Sequence, residues 1–141
     1  MKNILKILVC VVALVVFTNC GCDEFETDVV TVSNESNDTI TVVISFNYPD
    51  TCVSNSDRKS IGGRLLPNQT KTMTSYDYTL DELMPKNHVM QIFVFKDKYY
   101  SIFASKGSKY LQTRGLILKR YELSREELEM MGWKVVYPER I

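Results

Sequence analysis

Histidine is nearly missing from this 141-residue chain, which holds one, and cysteine is scarce at four. Both shortages remove chemistry. A zinc site built from Cys and His needs four donors, whereas the body of the chain offers Cys52, His88 and no CxxC pair. No metal or other cofactor is expected. A disulfide framework is equally out of reach: Cys10 lies in an apolar leader, Cys20 and Cys22 flank one glycine at its end, and Cys52 stands apart. If Cys20 is modified, Cys22 and Cys52 remain as one potential pair in an oxidising compartment; if Cys22 is, Cys52 is alone. Net charge is absent too, with 17 Lys+Arg against 17 Asp+Glu. Nucleic-acid binders show a clustered basic surface. Here Lys96, Lys98, Lys106, Lys109, Arg114, Lys119 and Arg120 are interleaved with apolar residues and read as strand exteriors, so nucleic acid is not an expected partner. GxSxG, HExxH and Gly-rich phosphate loops are also missing. So is an apolar run long enough to cross a bilayer, which takes ~20 residues.

What the N-terminus does have is a basic head, Lys2 and Lys6, followed by eleven uninterrupted apolar residues from Ile7 to Phe17. That is the length of a signal-peptide core and too short for a spanning anchor. The run ends in FTNCGCDEFE, residues Phe17 to Glu26. A cysteine at this junction resembles a bacterial lipobox, in which the thiol is diacylated and becomes the new N-terminus. Cys20 abuts the apolar core and has Phe17 three residues back, so it fits better than Cys22, which has Gly21 beside it but polar Asn19 three back. Cys22 stays as the alternative. Several acyl chains hold a protein on a membrane stably where one does not. The membrane is thus an expected partner, met through a lipid. Asp23, Glu24, Glu26 and Asp28 resemble the acidic export tag of surface lipoproteins of the Bacteroidetes type, and the plain reading of the same acids is a solvated tether. The expected organisation is a signal peptide over 1–19, a lipidated acidic tether over 20–28 and one domain over 29–141. Removing nineteen residues leaves 122 of the 141, enough for one hydrophobic core.

Period-two patterning dominates that domain. Ile40, Val42, Ile44 and Phe46 alternate with Thr39, Thr41, Val43, Ser45 and Asn47 as a half-buried strand, and Asp28 to Ser33 is its expected hairpin partner across the turn NESND. Tyr48 to about Gly63 reads as loop, and Pro67-Asn68 as a turn into a Thr-rich strand. YTLDELM suggests a helical turn closed by Pro85. VMQIFVFKDKYYSIFA reads as a hairpin of central strands around Asp97, with Met90, Ile92 and Val94 on one face and Phe93 and Phe95 on the other. GLILKRYEL is another strand.

The tail is the most explicit segment. Ser124 and Glu127 form a capping box with Leu123 and Leu128 as its staple. Gly132 supplies the left-handed stop, and Trp133, Val135 and Tyr137 begin a last strand that Pro138 ends. KRYELSREELEMMGWKVVYP, Lys119 to Pro138, resembles the tail of uncharacterised Bacteroidetes lipoproteins, K-R-Y-x-L-S/T followed by a Trp strand ending in Y-P. The YPDT of Tyr48 to Thr51 resembles their loop after the first hairpin, and those relatives carry a longer helical insert where this chain runs from Phe95 to Gly115. The resemblance implies an address and a small β-sandwich-like fold, with no activity. The alternating segments point independently to the same class: mainly β, a small antiparallel β-sandwich-like domain with a short C-terminal helix before its last strand.

Chemistry-bearing groups are sparse. Cys52 and His88 are the one Cys/His combination in the body, which a thiol hydrolase would need, but nothing signals a third member to orient the base. Asp81 with Glu82, and Glu126, Glu127 and Glu129, are sequence neighbours suited to caps and solvent faces, whereas glycoside hydrolysis needs acids across a cleft. A non-enzymatic role is expected. Eight tyrosines are many for this length. Tyr48, Tyr76, Tyr78, Tyr99 and Tyr100 are candidates to face a glycan or protein partner, since flat sugar faces stack on aromatic rings; Tyr99 and Tyr100 are adjacent on the expected strand, so one points outward. Asp38-Thr39-Ile40 and Asp50-Thr51-Cys52 resemble a three-residue O-glycosylation signal, making Thr39 and Thr51 candidate acceptors. The expected role is a surface-exposed outer-membrane lipoprotein acting as a binding or accessory module; a structural component facing the periplasm is the alternative, and a thiol hydrolase the weakest.

Overall fold

The computed structural model describes residues 26–138 apart from 55 and 58. The signal peptide expected over 1–19, together with Cys20, Cys22, Asp23 and Glu24, falls outside the described residues. The domain is mainly β. Strands β1 (Thr27–Asn34), β4 (Thr70–Ser75) and β7 (Lys134–Tyr137) form one sheet in the order β4-β1-β7, with β7 parallel to β1. Strands β3 (Ile61–Leu65), β2 (Ile40–Ser45), β5 (Val89–Lys96) and β6 (Ile117–Ser124) form an antiparallel sheet in that order. Three short helices join them: α1 (Leu80–Leu83), α2 (Tyr100–Thr113) after a 3-10 turn over Asp97–Tyr99, and α3 (Arg125–Met130). No helix among the described residues is long and apolar enough to cross a membrane.

The layering follows from which strands are apolar on both faces. Strand β2, expected to be half-buried, is buried at every residue, and β5 is buried from Met90 to Phe95. Ile40, Val42, Ile44, Met90, Ile92 and Val94 face the three-stranded sheet and pack with Val30, Val32, Met73, Leu128 and Val135 in the larger core. Val43, Phe93 and Phe95 face the other way and would sit in water without cover. Phe103 and Leu111 of α2, with Val53 from a loop, provide it and complete a second core. The sandwich therefore has a third, helical layer.

Three expectations are corrected. The run KDKYYSIFA is not a returning strand: after Lys96 the chain turns through Asp97–Tyr99 into α2, because Tyr99, Ile102 and Phe103 fall on one helical face that covers Phe93 and Phe95. The alternation assigned to β5 itself holds. Second, β1 and β2 do not pair as a hairpin but lie in different sheets. The turn between them crosses the sandwich, and buried Asn34 ties the corner: its Nδ2 donates to the carbonyls of Asp38 at 2.8 Å and Leu66 at 3.0 Å, while its Oδ1 accepts from the Ser36 hydroxyl at 2.7 Å. Third, the supposed loop before Gly63 ends in a strand, β3, paired to β2 from Ile61 to Leu65. Strand β1 begins at Thr27, so Thr27 and Asp28, counted above with the tether, pair with Ser75 and Thr74.

The short helices form as their caps dictate. Thr79 and Ser124 each accept from the amide three residues on, while Glu82 and Glu127 reach back to the cap amides. The bond from the Thr79 amide holds the Glu82 carboxyl below its usual range. Gly132 takes the left-handed conformation after α3, at φ 62°.

Candidate functional site

Helix α2 lies against β5 and Val43 of β2, while Gly62 and Arg64 of the outer strand β3 stay exposed, so the helical layer borders a cleft. Its volume is about 600 Å³. Val43 and Phe103 give it an apolar floor, Gly62 and Arg64 of β3 form one wall, and Asp97, Tyr100 and Ser101 form the other. Gly62 opens the space, because it faces the same side as Val43, its partner in register, and has no side chain to fill it.

The polar groups of the cleft are held from below. Thr41, buried on β2, donates its hydroxyl to Asp97 Oδ1 at 2.9 Å, and Arg64 Nε pairs with Asp97 Oδ2 at 3.1 Å. The Asp97 amide donates to the Thr39 carbonyl at 3.1 Å, which extends the β2–β5 ladder by one pair. The carboxylate is thereby fixed at the 3-10 turn, while the Arg64 side chain stays 63% exposed. Lys98 completes the rim, its ammonium 5.0 Å from the centre of the Tyr99 ring. An apolar floor with a few oriented polar groups is what a binding site requires.

Of the five tyrosines proposed as ligand-facing, Tyr100 is the one that lines this cleft, and it is 46% exposed. It starts α2, so the argument that placed it beside Tyr99 on a strand fails. Tyr99 and Tyr78 are half-buried against the two cores, and Lys98 and Lys59 lie over their rings. Tyr48 and Tyr76 are exposed, at 42% and 61%, on separate loops outside the cleft lining. Thr39 and Thr51 are both half-buried. The Thr51 carbonyl accepts from the Ser108 hydroxyl at 2.6 Å, and Thr39 engages Asp97 as above. Glu26 is exposed just before β1.

Cys52 is an exposed free thiol. It opens onto a second cavity of about 580 Å³ with Val53, Ala104, Lys106, Gly107 and Lys109. His88 is not in that lining; its Nε2 hydrogen-bonds the Phe46 carbonyl at 2.7 Å. Among the described residues no three His, Cys, Asp or Glu side chains are grouped to hold a metal ion. The raised values of Lys96 and Arg125 come from their hydrogen bonds to Asp38 and Asp81. These are surface ion pairs.

Sequence reasoning missed Asp97, Arg64, Thr41 and Gly62 as a group. From sequence Asp97 reads as a hairpin turn and Gly62-Gly63 as loop. Two adjacent glycines between Ile61 and Arg64-Leu65 were the available signal, since glycine inside a strand often marks close approach by another backbone or a ligand. No protein-family model, curated protein or solved structure matches the chain.

Proposed function

We propose that this chain is a lipid-anchored protein of a bacterial envelope whose β domain is a non-enzymatic binding or accessory module displayed at the cell surface. The observation that carries the reading is Cys20, set directly after a basic head and an eleven-residue apolar run. The acids Asp23, Glu24 and Glu26 follow it at once and act as the export tag. The domain supports the reading in two ways. Its first strand starts at Thr27, which leaves a short tether between acylated cysteine and fold. Its cleft opens on the helical face of the four-stranded sheet, while β1, the strand nearest the tether, belongs to the other sheet. The start of the fold at Thr27 and the cleft thus lie in different layers, an arrangement suited to meeting a partner away from the membrane.

Metabolic labelling with an alkyne fatty acid tests the anchor. The unaltered chain takes the label, Cys20→Ser loses it almost wholly, and Cys22→Ser keeps it. Labelling that survives Cys20→Ser and fails in Cys22→Ser moves the site to Cys22. An unlabelled parent chain removes the reading.

A further inference from the structure

The outer edge of β3 carries an inference that rests on the binding-module reading and goes further, to the chemistry of the partner. In an antiparallel ladder, opposed residues alternate between bonded and non-bonded pairs. The Asp97 amide bonds the Thr39 carbonyl, so the odd-numbered residues of β2 direct their backbone groups to β5 and the even-numbered ones to β3. Ile40, Val42 and Ile44 therefore bond Leu65, Gly63 and Ile61, their partners in register. Gly62 and Arg64 are left with amide and carbonyl pointing away from the sheet. Strand β3 is terminal in its sheet, and both residues are exposed.

Natural sheets blunt such edges with proline, bulges or inward charges, because a bare edge is a template for another strand. Here the edge has two consecutive glycines and lies beside a cleft with a helix as its far wall. The outward groups of Gly62 and Arg64 repeat every two residues, ~6.8 Å along the strand. Another extended backbone has that repeat, whereas the oxygens of neighbouring hydroxyls on a sugar ring lie much closer together. Charge selects further. The cleft holds Arg64 and Lys98 against Asp97, whose two oxygens already engage Thr41 and Arg64 Nε. Lys71 adds a third cation on the opposite face of the same edge, with its Nζ 3.2 Å from where a Cβ on Gly63 would stand.

We propose that β3 receives an extended peptide segment as an added strand, with an acidic side chain of that segment directed into the cleft between Arg64 and Lys98. Main-chain bonds to Gly62 and Arg64 supply affinity, and the cleft supplies side-chain choice. The acid gains charge-assisted hydrogen bonds from the guanidinium.

The test uses the full chain, ¹⁵N-labelled in detergent micelles. The probes are blocked seven-residue peptides with a central glutamate flanked by threonine, valine, isoleucine or tyrosine. Binding slows hydrogen exchange of the Gly62 and Arg64 amides at saturation. A central lysine weakens it about tenfold, as expected for a like charge at a cationic site. N-methylation of the peptide amides that face β3 abolishes it, and Arg64→Gln weakens it while keeping the amide protection. Equal binding of N-methylated peptides overturns the proposal. So does amide protection that rises with protein concentration and no peptide, which makes a second copy the occupant. Hexose oligosaccharides that shift Tyr100 and Asp97 where no peptide does also overturn strand addition, and leave a binding module standing. Failure of both peptides and oligosaccharides removes the peptide site and the binding-module reading together.

Discussion

Phe103→Ala destabilises the domain by roughly 3–5 kcal/mol, the range for emptying a buried phenylalanine site, although Phe103 lies outside the core between the sheets. The reason is the two-faced character of β5. Phe93 and Phe95 are fully buried only because α2 covers them, and the Phe103 ring lies 5.4 Å from that of Phe95. Truncation takes the middle anchor from the helical layer and leaves a void against Phe95, Val43 and Leu111. Tyr100→Ala, three residues earlier on an exposed face, serves as the control and changes stability by no more than about 1 kcal/mol. Chemical denaturation of both variants checks the contrast. An effect of Phe103→Ala as small as that of the control would show that α2 is an ornament on a two-layer sandwich.

Gly107→Ala is expected to destabilise by about 3 kcal/mol, from a glycine-only backbone conformation combined with a steric clash. Helix α2 breaks at Gly107, where φ is 74° and ψ is 179°. A Cβ there would stand 2.8 Å from the Val53 carbonyl oxygen. That carbonyl accepts from the Ser108 amide at 2.8 Å, while the Ser108 hydroxyl accepts from the Val53 amide at 2.8 Å and donates to the Thr51 carbonyl at 2.6 Å. The break is thus the socket into which the 51–53 loop is bonded, and Val53 closes the second core from it. Moving the loop to admit a methyl group breaks those bonds in a buried setting. Gly115→Ala is the informative comparison, because Gly115 also has positive φ, 65°, but open space around its Cβ position. It loses only about 1 kcal/mol. Thermal melts should separate the pair by several degrees, ~4 °C for each kcal/mol in a domain of this size. Equal melting of the two variants would mean that backbone conformation alone matters at Gly107 and the loop contact contributes nothing.

Local signals in this sequence were legible and long-range ones were not. The capping box at Ser124, the helical turn over YTLDELM, the stop at Gly132, the turn at Asn68 and the existence of a strand from Ile40 all follow from atoms within a few residues of one another. What neighbours cannot reveal is which sheet a strand joins. NESND reads as a turn, yet a turn between strands of one sheet and a turn between sheets use the same residues, and the buried bonds of Asn34 to Leu65 and Leu66 decide between them. Helix α2 was lost for a related reason. Tyr99-Tyr100-Ser101-Ile102-Phe103 has strand-like composition, and a helix forms because the exposed aromatic face of β5 needs cover. The cleft inherits both difficulties, since Thr41, Gly62, Arg64 and Asp97 come from three segments and meet only after β3 and α2 are placed. Cys52 and His88 show the converse: a pair read from composition, which the fold assigns to different surroundings.

We propose that the anchor and its acidic sequel deliver this domain to the outside of the cell. Protease shaving of intact cells tests it most directly, with the Trp133 tail followed by antibody beside a periplasmic control protein. Loss of the tail from intact cells while the control survives is the expected result. Protection of the tail until the outer membrane is opened would contradict surface display, reduce Asp23, Glu24 and Glu26 to a tether, and make the chain a periplasm-facing component.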